Sequence, residues 1–301
     1  MSDYMFSNSN VLAWLSYFAE HTGVDLEHVK ILDITRKNKN LIPAVEAHQS
    51  VLVFTEAGHP DIFYRMYNAG LGDCEVVYNE GSEPAGPILR SKVSDMIDRG
   101  INASAGMLIL NPQARSVIKF GMDNSVFANG SVKYVGSEIR SIILSKMQIN
   151  EGKNICVISG ESIAVEAAIL DGEGEIVAVE YNSNDRATLE NNVGQFGLNN
   201  VKIIDHVDAE SFAGLEIPDV TMLVASASME QEMKCLLALN PAMEFVVYTL
   251  DFQVAASMQA LCRDLGLSDV EIIQVGVSKL TTKNTMNAEP APWIISCRAL
   301  N

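Results

Sequence analysis

Residues 154–192 constrain the fold more than any other stretch. A short apolar run, residues 155–158, is followed by a Ser/Gly turn at residues 159–162. A helical pattern then covers residues 163–170, and a Gly/Asp turn occupies residues 171–174. A second apolar run, residues 175–179, ends in an acid, Glu180. Strand, glycine-bearing turn, helix, strand and acid make the opening βαβ unit of a nucleotide-type binding fold. Small turn residues let backbone approach a ligand, and an acid about 20 residues further on accepts the hydroxyl hydrogen bonds of a ribose. Only one glycine, Gly160, lies in the turn, so the same pattern also fits a βαβ unit of any α/β protein.

Composition removes several function classes. The 301 residues suffice for one large domain or two ordinary ones, and 48% of them are apolar. A net charge of -17 argues against a nucleic-acid surface, which needs clustered Lys and Arg. The apolar stretch at residues 11–19 is broken by Ser16 and is too short to span a bilayer. Residues 1–10 carry no basic segment, so no signal peptide is expected. Five widely spaced cysteines without a C-x-x-C suggest buried free thiols in a reducing cytoplasm. The five histidines are not at metal-ligand spacings, so no metal site is expected.

Along the first 112 residues strands and helices alternate. Helices are expected at residues 10–22, 41–48, from His59–Pro60 onward, and at 92–98; strands at 29–34, 51–55, 74–78 and 107–110. Between Pro112 and Gly136 the pattern lapses into Gly and Asn, which reads as a linker or an entry arm. Ser137 is placed to cap a helix over residues 137–147. Beyond Glu180 helices are expected at 184–196, 229–239 and 253–265, with strands at 201–204, 219–225 and 245–249. Two final strands, 270–277 and 293–298, have no helical pattern between them. An α/β alternation closing on a two-strand hairpin outlines the methyltransferase sheet rather than an ordinary dinucleotide fold. The expected boundary gives domains 1–112 and 113–301.

Within this frame the segment FGMDNSVFANGSVKYVGSEIR, residues 120–140, and its continuation through SGESIAVEAA resemble the cobalamin-pathway methyltransferase that acts on carbon 15 of precorrin-6B and decarboxylates it. Glu138, Ile139 and Arg140 match that family's Glu-Val-Arg. NNVGQFGLNNVKIIDHVDAE, residues 191–210, and NAEPAPWII, residues 287–295, extend the likeness over about 115–300. Residues 7–60 and 70–88 resemble the second half of the tetrapyrrole methylase that acts on carbon 5. The two occur fused in this order as precorrin-6Y methylase. The resemblance therefore implies such a fusion, with the front half of its first module missing and carbon-5 methylation not expected. The implied fold is α/β: a Rossmann-like class I sheet of seven strands with an antiparallel last hairpin, binding S-adenosylmethionine (SAM), preceded by a partial tetrapyrrole-methylase-like α/β domain.

By the same resemblance SAM would be held by Gly160, Ser162, Glu180, Tyr181, Asp208 and Ala209. A tetrapyrrole substrate would meet Glu138, Arg140, Ser226 and Ser228, and its acidic arms would be received by Arg140, Lys133 and Lys279. No catalytic residue is assigned, because methyl transfer is mostly positioning: the methyl must lie in line, about 3–3.5 Å from the nucleophile. The implied protein is a cytoplasmic homo-oligomer. The chain departs from the family where the chemistry sits. One glycine of three survives in the turn, Ile158 would crowd the cofactor, and Glu161 brings a like charge towards its carboxylate. A Gly-Gly turn is replaced at residues 226–229, and Val135 replaces a threonine. A catalytically degenerate member, acting as a binding or scaffold protein, is the alternative; a methyltransferase retuned to another small substrate is a third. An open slot beside Glu180 would favour cofactor binding, and a slot filled by side chains would not.

Overall fold

Val11, Trp14, Leu15 and Phe18 share one face of the first helix, α1 (Asn8–Thr22), and that spacing sets how the first unit packs. A computed structural model of the chain describes residues 8–35, 39–55, 61–99, 105–114, 120–130, 135–150, 152–280 and 282–299. The chain divides into two compact units, Met1–Val117 with Gln195–Asn199, and Ile118–Gly194 with Asn200–Asn301.

In the first unit α1 is followed by β1 (Val29–Asp33), α2 (Leu41–Ala47), β2 (Ser50–Thr55), α3 (Ile62–Asn68), β3 (Glu75–Tyr78), β4 (Leu89–Lys92) and β5 (Ala105–Leu110). The five strands form one sheet in the order β1-β2-β5-β3-β4, parallel between β1 and β2 and antiparallel elsewhere. Alternation along each strand divides its side chains between two cores. Val51, Val53, Val76 and Ile109 face α2 and α3, while Leu52, Phe54, Val77 and Leu108 pack on Trp14 and Phe18. The helix expected over 92–98 is instead the end of β4 and a single 3-10 turn, Val93–Asp95. Val93 and Met96 are buried three residues apart, a spacing that one turn satisfies as well as a helix does. The helix start expected at His59–Pro60 lies outside the described residues.

The second unit continues with α4 (Ser137–Lys146), β6 (Ile155–Ile158), α5 (Glu161–Leu170), β7 (Ile176–Val179), α6 (Ser183–Gln195), β8 (Val201–Ile204), β9 (Val220–Val224), α7 (Met229–Leu239), β10 (Glu244–Thr249), α8 (Phe252–Asp264), β11 (Leu267–Gln274), β12 (Ser278–Leu280), β13 (Met286–Ala288) and β14 (Trp293–Ala299). Seven strands form one sheet, order β11-β14-β10-β9-β6-β7-β8. It is parallel from β10 to β8, and β14 enters antiparallel between β10 and β11. That is the expected seven-stranded sheet with its antiparallel end. β6 and β7 are buried along their whole length, as strands covered by helices on both faces must be. β12 and β13, a two-stranded ribbon between the last two expected strands, were not legible as strands. Ser137 is the first helical residue of α4 rather than its cap, and Gly136 holds the cap position without a side-chain bond.

The β6–β7 crossover closes on Asp171. Its buried Oδ1 accepts the backbone N–H groups of Gly152 and Gly174, each at 2.9 Å, and of Glu173 at 3.1 Å. A Cβ on Gly174 would lie 2.2 Å from the carbonyl oxygen of Lys153, so only glycine fits there. Chain order reverses between β6 and β9, and in open α/β sheets that switch point opens a crevice at the carboxyl ends of the strands.

Candidate functional site

The crevice at this switch point is a cavity of about 620 Å³, a size suited to a small molecule or cofactor. It is lined from the carboxyl ends of β6, β7, β9 and β10 and from Asp123, Asn124, Val135, Gly136, Ser137 and Ile139. On its floor, β6 passes into α5 through Ser159 and Gly160. Ser159 is in the left-handed region, φ +56°, where a side chain is strained. A Cβ on Gly160 would meet Val157 Cγ1 at 2.9 Å, so the surviving glycine stands where backbone must lie against the strand. Ile158 does not crowd the slot. Its side chain is buried in the sheet core with Val179 and Leu223 and lies outside the cavity lining, because the pleat of β6 turns it away. The slot beside Glu180 is open.

Three carboxylates border this opening. Glu161 begins α5, Glu180 follows β7 directly, and Asp185 lies in the first turn of α6; their exposures are 6%, 5% and 5%. The carboxyl of Glu180 accepts the N–H of Gly160, yet its pKa is pushed up to about 8, chiefly by burial and then by the charges of Glu161 and Asp185. Burial also raises Glu161, with Asp185 adding to the effect. Tyr181 lines the cavity next to Glu180, and its hydroxyl donates to the buried Glu232, which also accepts from Ser228 Oγ at 2.7 Å. At the opposite side Lys279 of β12 forms an ion pair with Glu138 of α4 at 2.8 Å; this pair lowers the pKa of Glu138 and raises that of Lys279.

The 120–130 arm is latched over the unit by a buried ion pair. Arg140 Nε and Glu166 Oε1 are 2.9 Å apart and both side chains are 0% exposed. Glu166 accepts the backbone N–H of Gly121 at 3.2 Å and of Met122 at 2.7 Å. Arg140 donates to Asn124 Oδ1 at 2.8 Å, to the carbonyl of Val135 at 3.0 Å and to that of Met122, and its guanidinium lies over the Phe127 ring. Asn192 Oδ1 accepts from the N–H of Ala128 at 2.7 Å. These bonds hold Asp123, Asn124 and Val135 at the cavity wall.

Four of the six expected cofactor residues, Gly160, Ser162, Glu180 and Tyr181, come together on the cavity. Asp208 and Ala209 do not line it. Asp208 instead pairs with His206 at 2.9 Å and caps the turn at Ser211. Arg140 is corrected from a substrate contact to the latch just described, since a guanidinium with no exposure cannot meet a substrate arm. Ser226 and Ser228 bond each other at 3.0 Å outside the lining, and Glu138 stands beside it through Lys279. Lys133 lies outside the described residues. Sequence reasoning left out Asp185, an acid in the first turn of α6, and did not assign Glu161 to the site. The signal that marks both is burial, which no spacing reveals. Among the described residues no His, Cys, Asp or Glu cluster could hold a metal, and no helix is long and apolar enough to cross a membrane. All five cysteines are free thiols.

The family profile of the precorrin methyltransferase domain matches residues 127–288, over half of the chain. No curated protein sequence matches it. Among solved structures, precorrin-6Y C5,15-methyltransferase from Geobacter metallireducens superposes with a TM-score of 0.56 at 21% identity, covering 60% of this chain and 98% of that one. The C-terminal domain of the Rhodobacter capsulatus precorrin-6Y C5,15-methyltransferase gives 0.48 at 15%, over 60% and 100% of the two chains. Precorrin 8W decarboxylase from Methanobacterium thermoautotrophicum gives 0.46 at 18%, over 59% and 96%. The first of these supports the Rossmann-like methyltransferase sheet by fold.

Proposed function

The chain belongs to the precorrin methyltransferase domain family, and from that membership we propose that it is a SAM-dependent C-methyltransferase of cobalamin biosynthesis, of the type that methylates and decarboxylates precorrin-6B at carbon 15. The observation that carries the reading is the open cavity at the switch point, bordered by Gly160 and Glu180, where a filled slot would have favoured a degenerate scaffold. When bound, SAM supplies an electrophilic methyl group. The chain's own residues hold and orient it: Gly160 leaves backbone free to approach, and Ser162, Glu180 and Tyr181 present acceptors and an aromatic surface. The latched arm supplies a wall that excludes water, and positioning of this kind provides most of what methyl transfer needs. Lys279, on the cavity rim, is the group suited to an acidic arm of a tetrapyrrole.

The first unit is read as the partial tetrapyrrole-methylase-like module, and the working protein as a cytoplasmic homo-oligomer. Calorimetric titration of the chain with SAM and with S-adenosylhomocysteine tests the reading. Micromolar binding supports it. Absence of binding at millimolar ligand would end it and leave the scaffold alternative, which the single surviving glycine of the turn, the strained Ser159 and the acidic Glu161 favour.

A further inference from the structure

Tyr181 directly follows Glu180 and lines the cavity. Both ends of this residue are fixed from other elements. Arg186 of α6 donates to the backbone carbonyl of Glu180 at 2.9 Å and to that of Tyr181 at 3.1 Å. The phenol donates to Oε1 of Glu232 in α7, and the same oxygen accepts from Ser228 Oγ at 2.7 Å. Burial, and then the bond to Glu232, push the pKa of the phenol up, so it remains a donor at ordinary pH. Glu232 is the costly member of this set. It is 4% exposed, and its Oε2 is buried with no hydrogen-bond partner. A carboxyl so placed weakens the fold, because one oxygen has lost water and gained no donor. The helix dipole favours an acid in the first turn of α7, but the exposed Glu230 has that benefit without burial. Packing does not require the carboxyl either, since an apolar side chain of similar volume fills the same space. What Glu232 does provide is a fixed acceptor for the Tyr181 hydroxyl.

We propose that Glu232 is a positioning residue for the cofactor: from α7 it holds the Tyr181 ring in the cavity wall as a ready stacking surface for a purine. The inference rests on the reading of the cavity as a SAM site and adds to it a residue that does not line the cavity. Every base presents a π face, and an aromatic ring next to the ribose acid stands beside the sugar to which that base is joined. Tyr181 is exposed. Without an anchor its side-chain torsions would be free, and a ligand would have to freeze them on binding. Tied at its backbone by Arg186 and at its hydroxyl by Glu232, the ring has lost that freedom before a ligand arrives. The cost of the buried carboxyl is thus borne by the fold, and its effect is felt at the cavity.

Calorimetric titration of the full chain and its variants with S-adenosylhomocysteine, each paired with a thermal melt, tests the role. Glu232→Leu keeps the volume and removes the acceptor. Its affinity should fall about two- to tenfold, the effect of ordering one side chain, while its melting temperature holds or rises. Tyr181→Phe should lose the same factor. The double variant should lose no more than either single one, since all three break one bond. Glu232→Gln, whose carbonyl can accept both hydroxyls, should recover most of the affinity that Glu232→Leu loses. Unchanged affinity in folded Glu232→Leu, or losses that add in the double variant, would overturn the positioning role and leave the cofactor site standing. If Glu232→Leu does not fold, Tyr181→Phe decides in its place: a loss of affinity that Glu232→Gln does not share supports the role, and unchanged affinity overturns it. Absence of binding by the parent chain would remove the site itself, and the role with it.

Discussion

At Ser159 a residue with a Cβ occupies left-handed backbone, and at Glu180 a carboxyl is held neutral at ordinary pH; both are local costs borne at the cavity floor. Ser159→Gly removes the first. It should stabilise the chain by about 1 kcal/mol, raising its melting temperature by roughly 2–4 °C, and a thermal scan reads this directly. No rise would mean that the local conformation differs from φ +56°. The second has a definite sign with pH. Glu180 has its folded pKa raised to about 8 from the ordinary carboxylate value of 4.5, so between these values the native chain binds a proton that the unfolded chain has released. Its contribution is therefore complete below about pH 4.5 and is lost as pH rises to about 8. Glu180→Gln should flatten the fall in stability across that window by up to a few kcal/mol, measured by urea titration from pH 5 to pH 9. A parallel slope in parent and variant would show that Glu180 is not the titrating group.

At the scale of elements, the arm over 120–130 and the helices α4 and α5 are one construction, joined by Arg140 and Glu166. Truncation of one partner strands the other as a buried charge. Arg140→Ala should thus cost about 3–5 kcal/mol, and the amides of Met122 and Ala128 should lose hydrogen-exchange protection in it. A surface or substrate-contacting arginine would leave both almost unchanged. In the β6–β7 crossover, Gly174→Ala forces a Cβ against a backbone carbonyl and should cost about 3 kcal/mol, read by chemical denaturation. The resemblance in sequence rests largely on such residues. Arg140, Glu166 and Asn192 lie in the matched motifs, and in the structure they tie the arm down rather than touch a ligand. A motif shows that a residue type matters at a position without saying whether it faces a cavity or a core. The 3-10 turn after β4 and the β12–β13 ribbon escaped the sequence for a related reason: both depend on a partner strand that periodicity does not contain.

For the whole molecule, the division into two compact units has a thermodynamic consequence. A ligand held by residues of the second unit stabilises that unit by about 2.7 kcal/mol at a hundred times its dissociation constant. Scanning calorimetry with SAM at that ratio should therefore move a transition upward by about 5–10 °C and leave any transition confined to the first unit where it was. A uniform shift of the entire unfolding profile would show that the two units unfold together.

The linear order of apolar runs, turns and helical faces was enough to determine the α/β class, the βαβ unit at 154–192 and the strand and acid that end in Glu180. Those depend on local propensity and on burial of strands between helices, and both are written residue by residue along the chain. The tertiary structure alone decided that the slot beside Glu180 is open, because that depends on which way the pleat turns Ile158. It alone decided that Arg140 is a buried latch and that Glu161 and Asp185 join Glu180 on one wall. Charges far apart in sequence acquire a shared field only when the chain has brought them together and removed the water between them.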